Sequence, residues 1–306
     1  RDGMHRQAIA RGRDAYEPNT LGGGCPYQQG AARGFTTFPD PTPEDKVRGK
    51  PEKFADHYTQ ATLFFKSQSE VEKAHIVRAF RFELTKVQVP AIRNRMLANL
   101  ANVHPDLVAQ VAEGLGMPVP DPAPLAGEPA QPEVEQSPTL SLLARPGDGR
   151  IATRTVAILV APGVDGESVT SIHSALTDAG AVPRIVAARL GPVESASGDA
   201  LDPDATLETM PSCLFDAVVV PDGAGEALSA LGQAVDFVKD QYRHCKAMLA
   251  LGSGRDLLET ATIPLDSNDP ALIVGEAGKT AGAVKSFIAA MAKHRNWERA
   301  ADPPPV

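Results

Sequence analysis

The chain has 306 residues, 42% of them hydrophobic and 22% charged, with a formal net charge of −8. That is the profile of a soluble globular protein with room for two domains, and no run reaches the roughly 18–20 uninterrupted apolar residues of a membrane-spanning helix. Residues 1–117 carry 16 Lys+Arg against 13 Asp+Glu and residues 118–306 carry 14 against 25; with no basic stripe to neutralise phosphates, nucleic acid is excluded as an expected partner.

The opening RDGMHRQAIARGRD has neither an initiator methionine nor an apolar h-region, so it is expected to be the interior of a longer chain rather than a signal peptide. Residues 1–50, with PNTLGGGCPYQQG and FPDPTPED, hold Gly and Pro at a density that breaks helical and strand periodicity alike; they are expected to be disordered or an arm held by something else. Cys25, Cys213 and Cys245 are too few and too scattered for a disulfide framework or a zinc site, which points to a reducing cytoplasm.

Residues 51–117 are expected to form a small helical domain. Ser67 and Glu70 stand in capping-box spacing ahead of Val71, Ala74, Ile76, Val77, Phe80 and Leu84 at roughly helical intervals, Pro90 suits the first turn of a second helix (91–100), and Pro105 that of a third, ended by Gly114 and Gly116. Three short helices are therefore predicted. Seven prolines in 118–138 fix φ and remove backbone donors, which predicts a stiff extended linker, taken here to residue 150.

From 151 to 306 the pattern alternates. TVAILVAP, VPRIVAA, DAVVVPDG, KAMLAL and ALIVGE read as five buried strands. GESVTSIHSALTDAGA, one long helix through EALSALGQAVDFVKDQYRHC, and a last helix over 280–294 intervene. Such alternation specifies a parallel sheet covered on both faces, so the fold class is α/β: an extended arm and small helical domain, then a flavodoxin-like doubly wound sheet with its sites at the strand C-termini.

The motifs are weak. GEAGKT (275–280) lacks the upstream glycine of a phosphate loop, which leaves Lys279 as a solvated helix start, and no Gly-x-Gly-x-x-Gly follows the first strand. His244-Cys245 reads as a helix end. LALGSGRD (249–256) places Ser253 in a strand-to-helix turn, but Leu251 stands where a hydrolase elbow needs glycine. The turn resembles the nucleophile turn of the DJ-1/PfpI superfamily, in which Cys-His-Gly follows the strand. By that resemblance Gly252 occupies the nucleophile position and offers no side chain. Ser253 would need a base, for which His173 is the candidate; otherwise the turn's N–H groups cap the next helix.

Two long stretches, RDGMHRQAIARGRDAYEPNTLGG and residues 47–117 from VRGKPEKFADHYTQ to VAEGLGM, resemble the end of a haem catalase: barrel terminus, wrapping arm and helical domain. The linker and α/β domain resemble the C-terminal extension of the large-subunit members, a class I glutamine amidotransferase-like domain. The resemblance implies a parent that holds haem through an Arg-x-x-x-Tyr tyrosine and dismutes hydrogen peroxide with a distal histidine. None of Tyr16, Tyr27, Tyr58 and Tyr242 has arginine four residues before it, and both Ala-Arg-Gly runs follow Ile9 or Ala31 rather than histidine.

The expectation is therefore haem in the full-length parent and no cofactor, metal or catalytic residue in this chain. Its partners would be the catalase core and other subunits of a homotetramer, with chaperone-like binding of unfolded clients as a further role. The competing classes are a hydrolase or glyoxalase using Ser253 or Cys213 with Glu167 nearby, and a flavin-binding module.

Overall fold

The computed structural model describes residues 41, 43–45, 47–144, 147–265 and 268–306; the arm expected over 1–50, with Tyr16, Tyr27 and Cys25, lies almost wholly outside them. The chain divides into two units, Arg1–Glu52 and Lys53–Val306, and the second carries all the elements below.

Four helices open it: α1 Thr59–Ser67, α2 Glu70–Thr85, α3 Pro90–Ala101 and α4 Pro105–Gly114. Pro90 and Pro105 each occupy the first turn, where the missing N–H leaves no intrahelical bond unmade. Phe65, Val77, Leu84, Leu97, Leu100, Leu107, Val108 and Val111 close a core between them. The sequence reading missed α1 and placed the capping box two residues early. Ser67 ends α1, its hydroxyl turned back onto the Leu63 carbonyl (2.6 Å), while Ser69 is the N-cap of α2 and exchanges hydrogen bonds with Glu72.

Residues 118–136 form no helix or strand, as their six prolines dictate, yet they are not free-standing. The Ala123 N–H donates to the Ala98 carbonyl (2.9 Å) and Asn102 Nδ2 to the Ala123 carbonyl (2.9 Å). Further on, the Glu72 carboxylate accepts from Ser141 Oγ (2.8 Å), Leu142 N–H (2.9 Å) and Leu143 N–H (3.3 Å). Burial alone would raise the Glu72 carboxyl; these bonds and those from Ser69 hold it at about 2.

The sheet domain follows. Its strands are β1 Thr155–Leu159, β2 Val182–Ala187, β5 Ala205–Thr206, β6 Ala217–Val220, β7 Ala247–Leu251 and β8 Leu272–Gly275, with a separate hairpin of β3 Val193–Glu194 and β4 Ala200–Leu201. The sheet order is β5-β2-β1-β6-β7-β8, and every recorded pairing within it is parallel. Without the edge strand β5 this is the 2-1-3-4-5 order of a doubly wound sheet. Ile158, Val219 and Leu249 share one register row across β1, β6 and β7 and are essentially inaccessible; each such burial contributes roughly 1.5–3 kcal/mol. Helices α5 Gly166–Asp178 and α9 Thr280–Ala292 pack together, and α6 Gly225–Ser229, α7 Gly232–Arg243 and α8 Gly254–Thr260 form the other layer.

The single long helix expected after β6 is broken in two, because Leu231 takes an extended backbone (φ −102°, ψ 109°) and Gly232 begins α7. The break lets α6 pack on α8. The short edge strand β5 and the hairpin were not predicted as elements; α8 is the helix expected after the Gly252–Gly254 turn, and the last helix, expected over about 280–294, ends at Ala292.

Candidate functional site

At the C-terminal end of β7 the chain turns through Gly252, Ser253 and Gly254 into α8. Gly252 has φ +50°, the left-handed backbone of a sharp strand-to-helix elbow. The space a side chain would fill there is taken. A Cβ on Gly252 would fall within 2.7 Å of Asp222 Oδ2 and closer still to Oδ1 and Cγ. Asp222 reaches this slot from just beyond β6, where its Oδ1 accepts the N–H groups of Ser253 (2.8 Å) and Gly223 (2.8 Å). The Ser253 N–H, ahead of burial and the other bonds, holds the Asp222 carboxyl below its usual range, which makes it a poorer base.

The neighbouring glycines close the turn further. A Cβ on Gly225 would overlap the Ser253 carbonyl, and one on Gly254 would come within 2.9 Å of the Pro221 carbonyl oxygen and closer to that of Val220. Backbone therefore meets backbone where an active elbow would leave room for substrate. Ser253 Oγ accepts from the Gly223 N–H (2.8 Å), and no imidazole reaches it among the described residues. Ser253 is the N-cap of α8 without a side-chain capping bond, so its hydroxyl ties two loops together.

The competing constellation is not assembled. Cys213 is exposed in the 3-10 turn Ser212–Leu214 before β6, at the N-terminal edge of the sheet. Glu167 is exposed in the first turn of α5, after β1, at the opposite edge. His173 lines a surface depression with Val169, Ile185 and Leu201. Lys279 caps α9 and pairs with Glu276 (2.6 Å), a solvated helix start as expected. His244 is the C-cap of α7 and Cys245, at φ +59°, is buried; burial raises its thiol, so it is no thiolate nucleophile.

The described tyrosines do not fit a haem. The Tyr58 hydroxyl donates to Asn99 Oδ1 (3.0 Å), and Tyr242 lies under the Arg299 guanidinium, 4.5 Å from the ring centroid. Among the described residues no group of three His, Cys, Asp or Glu side chains is placed to hold a metal ion. Sequence reasoning singled out the Gly252-Ser253-Gly254 turn but missed Asp222; the only local signal was Pro-Asp-Gly directly after β6.

Comparison with known proteins identifies the family. Residues 51–115 match the family model described as catalase-related immune-responsive, and residues 152–301 match the C-terminal domain found in long catalases. The chain is 38% identical over 307 residues to catalase HPII of Pseudomonas aeruginosa, covering 98% of this chain and 42% of that protein. It is 39% identical over 324 residues to catalase HPII of Mycobacterium avium, covering 100% and 44%, and 33% identical over 299 residues to catalase-2 of Bacillus subtilis, covering 97% and 42%. It thus spans less than half the length of these relatives. The chain belongs to the long-catalase family and corresponds to the C-terminal portion of its members.

Proposed function

We propose that this chain serves assembly and stability in a haem-dependent catalase, with hydrogen peroxide dismutation carried by the haem-bearing part of the parent. The observation that carries this reading is the filled elbow: Asp222 occupies the slot of Gly252, and the surrounding turns are packed backbone to backbone. On this proposal residues 1–50 are a wrapping arm, 51–117 a helical domain, 118–150 a linker and 151–306 an appended α/β domain. The parent is a cytoplasmic homotetramer, and the partners are the catalase core and sister subunits.

A second observation supports the docking role. Phe82, Val89, Ile92 and Met96 are exposed along the end of α2 and the start of α3, an apolar surface suited to being covered by another part of the assembly. The same surface underlies the chaperone-like reading, which fails if the chain at equimolar ratio leaves the aggregation of a heated client unchanged.

The test is an absorption spectrum and activity panel on the 306-residue chain. Expected are no Soret band, no oxygen release from peroxide, and no peptidase or glyoxalase turnover. A Soret band with peroxide turnover would overturn the assignment of chemistry to the rest of the parent. Turnover of a glyoxalase or peptidase substrate that disappears in Ser253→Ala or Cys213→Ala would establish the competing enzyme instead.

A further inference from the structure

Three guanidinium groups from separate elements meet between the helices and the sheet domain. Arg78 stands on α2, Arg243 in the last turn of α7, and Arg295 just beyond α9. With His75, His244 and Trp297 they line a cavity of about 520 Å³, and no carboxylate side chain is among its lining residues. That volume falls in the range of roughly 300–1,000 Å³ typical of small-molecule sites. The cavity lies at the N-terminal edge of the sheet, since His244 and Cys245 precede β7, and so opposite the closed elbow.

Counter-charge falls on one of the three. Arg243 Nη1 is 3.6 Å from Asp240 Oδ1 in a pair that is 40% and 50% exposed, an arrangement that contributes little, and its Nε donates to an oxygen of the chain-terminal Val306 carboxylate. Arg295 donates through Nη1 to the His244 carbonyl and lies 5.7 Å from the Trp297 ring centroid. Arg78 makes neither hydrogen bond nor ion pair with any described residue. The two imidazoles at the rim shift the same way: partial desolvation, then Arg78 and Arg295, lower His75 against Glu72, and partial desolvation, then Lys246 and Arg295, lower His244 against Asp240. In a chain of net charge −8, Arg78 and Arg295, which face no carboxylate side chain among the residues lining this cavity, form with Arg243 a local concentration of positive potential that a bound anion would neutralise.

We propose that this cleft binds a small, multiply charged oxyanion, a phosphoryl or polycarboxylate compound, held by Arg78, Arg243 and Arg295. Guanidinium forks match both chemistries through paired charge-assisted hydrogen bonds. Trp297 and His75, edge-to-face at 5.3 Å, line the same cavity beside the guanidinium groups. The anion bridges α2 to the segment after α9, so its binding fastens the helices to the sheet domain.

Trp297 is the sole tryptophan, so its fluorescence reports this site directly. The 306-residue chain is titrated with pyrophosphate and, separately, with citrate, against sodium chloride at matched ionic strength. A saturable change with either probe is expected, and pyrophosphate alone or citrate alone identifies the chemistry preferred. Arg78→Ala should raise Kd at least about tenfold, the loss of one charge-assisted contact, with Arg78→Lys in between and the circular-dichroism melting curve unchanged. Arg243→Ala gives the same test from the other wall. Absence of a saturable response to both probes, or wild-type affinity in Arg78→Ala and Arg243→Ala, would overturn the proposal.

Discussion

Replacing Gly252 by cysteine puts a thiol at the strand-to-helix turn, and the structure gives the size of the penalty. The new Cβ cannot coexist with the Asp222 carboxylate, so Asp222 must leave the slot. Its Oδ1 then gives up two N–H bonds, to Ser253 and Gly223, each 2.8 Å. Bonds to a charged acceptor contribute about 1.5–3 kcal/mol apiece, and solvent screening of this partly exposed carboxylate brings each nearer 1 kcal/mol. Holding a side chain at φ +50° adds about 1–2 kcal/mol. The sum is about 3–4 kcal/mol, a large share of the ~5–15 kcal/mol that holds a typical domain.

Urea titrations of wild type, Gly252→Cys, Asp222→Ala and the double variant measure it. Asp222→Ala alone should cost about 1–2 kcal/mol, because the Gly223 N–H keeps Ser253 Oγ as a partner. The double variant should be more stable than the sum of the singles predicts, since removing the carboxylate makes room for the thiol. A Gly252→Cys protein within about 0.5 kcal/mol of wild type, or singles that simply add, would show that the elbow is not filled as described.

Two pH experiments follow from the same structure. Glu72 sits at about 2 in the fold against 4.5 ordinarily, so its stabilisation is complete above about 4.5 and is lost as pH falls towards 2. The full shift corresponds to about 3 kcal/mol, reduced by solvent screening to about 1–2. Glu72→Gln should lose that amount at pH 7, converge with wild type near pH 2, and expose the 137–143 segment to limited proteolysis; equal pH profiles would refute the clamp. Lys246 is buried, donates to the Ser212 and Phe215 carbonyls, and is brought down to about 8 from 10.5 by burial and then Arg295, against the opposing pull of Asp216. Below pH 8 both states are protonated and the penalty is complete. Between about 8 and 10.5 the unfolded chain alone holds the proton, so wild type should gain about 2–4 kcal/mol relative to Lys246→Met across that interval. A stability difference flat in pH would contradict the burial.

How far the sequence could be read depended on how local each cause is. The five main strands are near-continuous Val, Ile, Leu and Ala runs, and their order follows from the short crossovers between them. Strands β3, β4 and β5 have two residues each, too few for any periodicity to register. The choice between Ser67–Glu70 and Ser69–Glu72 as capping box cannot be made locally, since both spacings fit. It is made by Ser141, Leu142 and Leu143, about seventy positions away, which need the Glu72 carboxylate. The site divides in the same way. Gly252-Ser253-Gly254 marked a sharp turn in the local sequence, whereas Asp222 is a neighbour of Gly252 only because β6 lies beside β7.

The bonds that fasten residues 123 and 141–143 to α2 and α3 bear on any attempt to exchange the sheet domain among homologues. A seam at the first prolines, where composition changes, would tear away strands of chain that cover the helices. Grafts joined between Leu143 and Ile151 should leave both halves with their own surfaces intact.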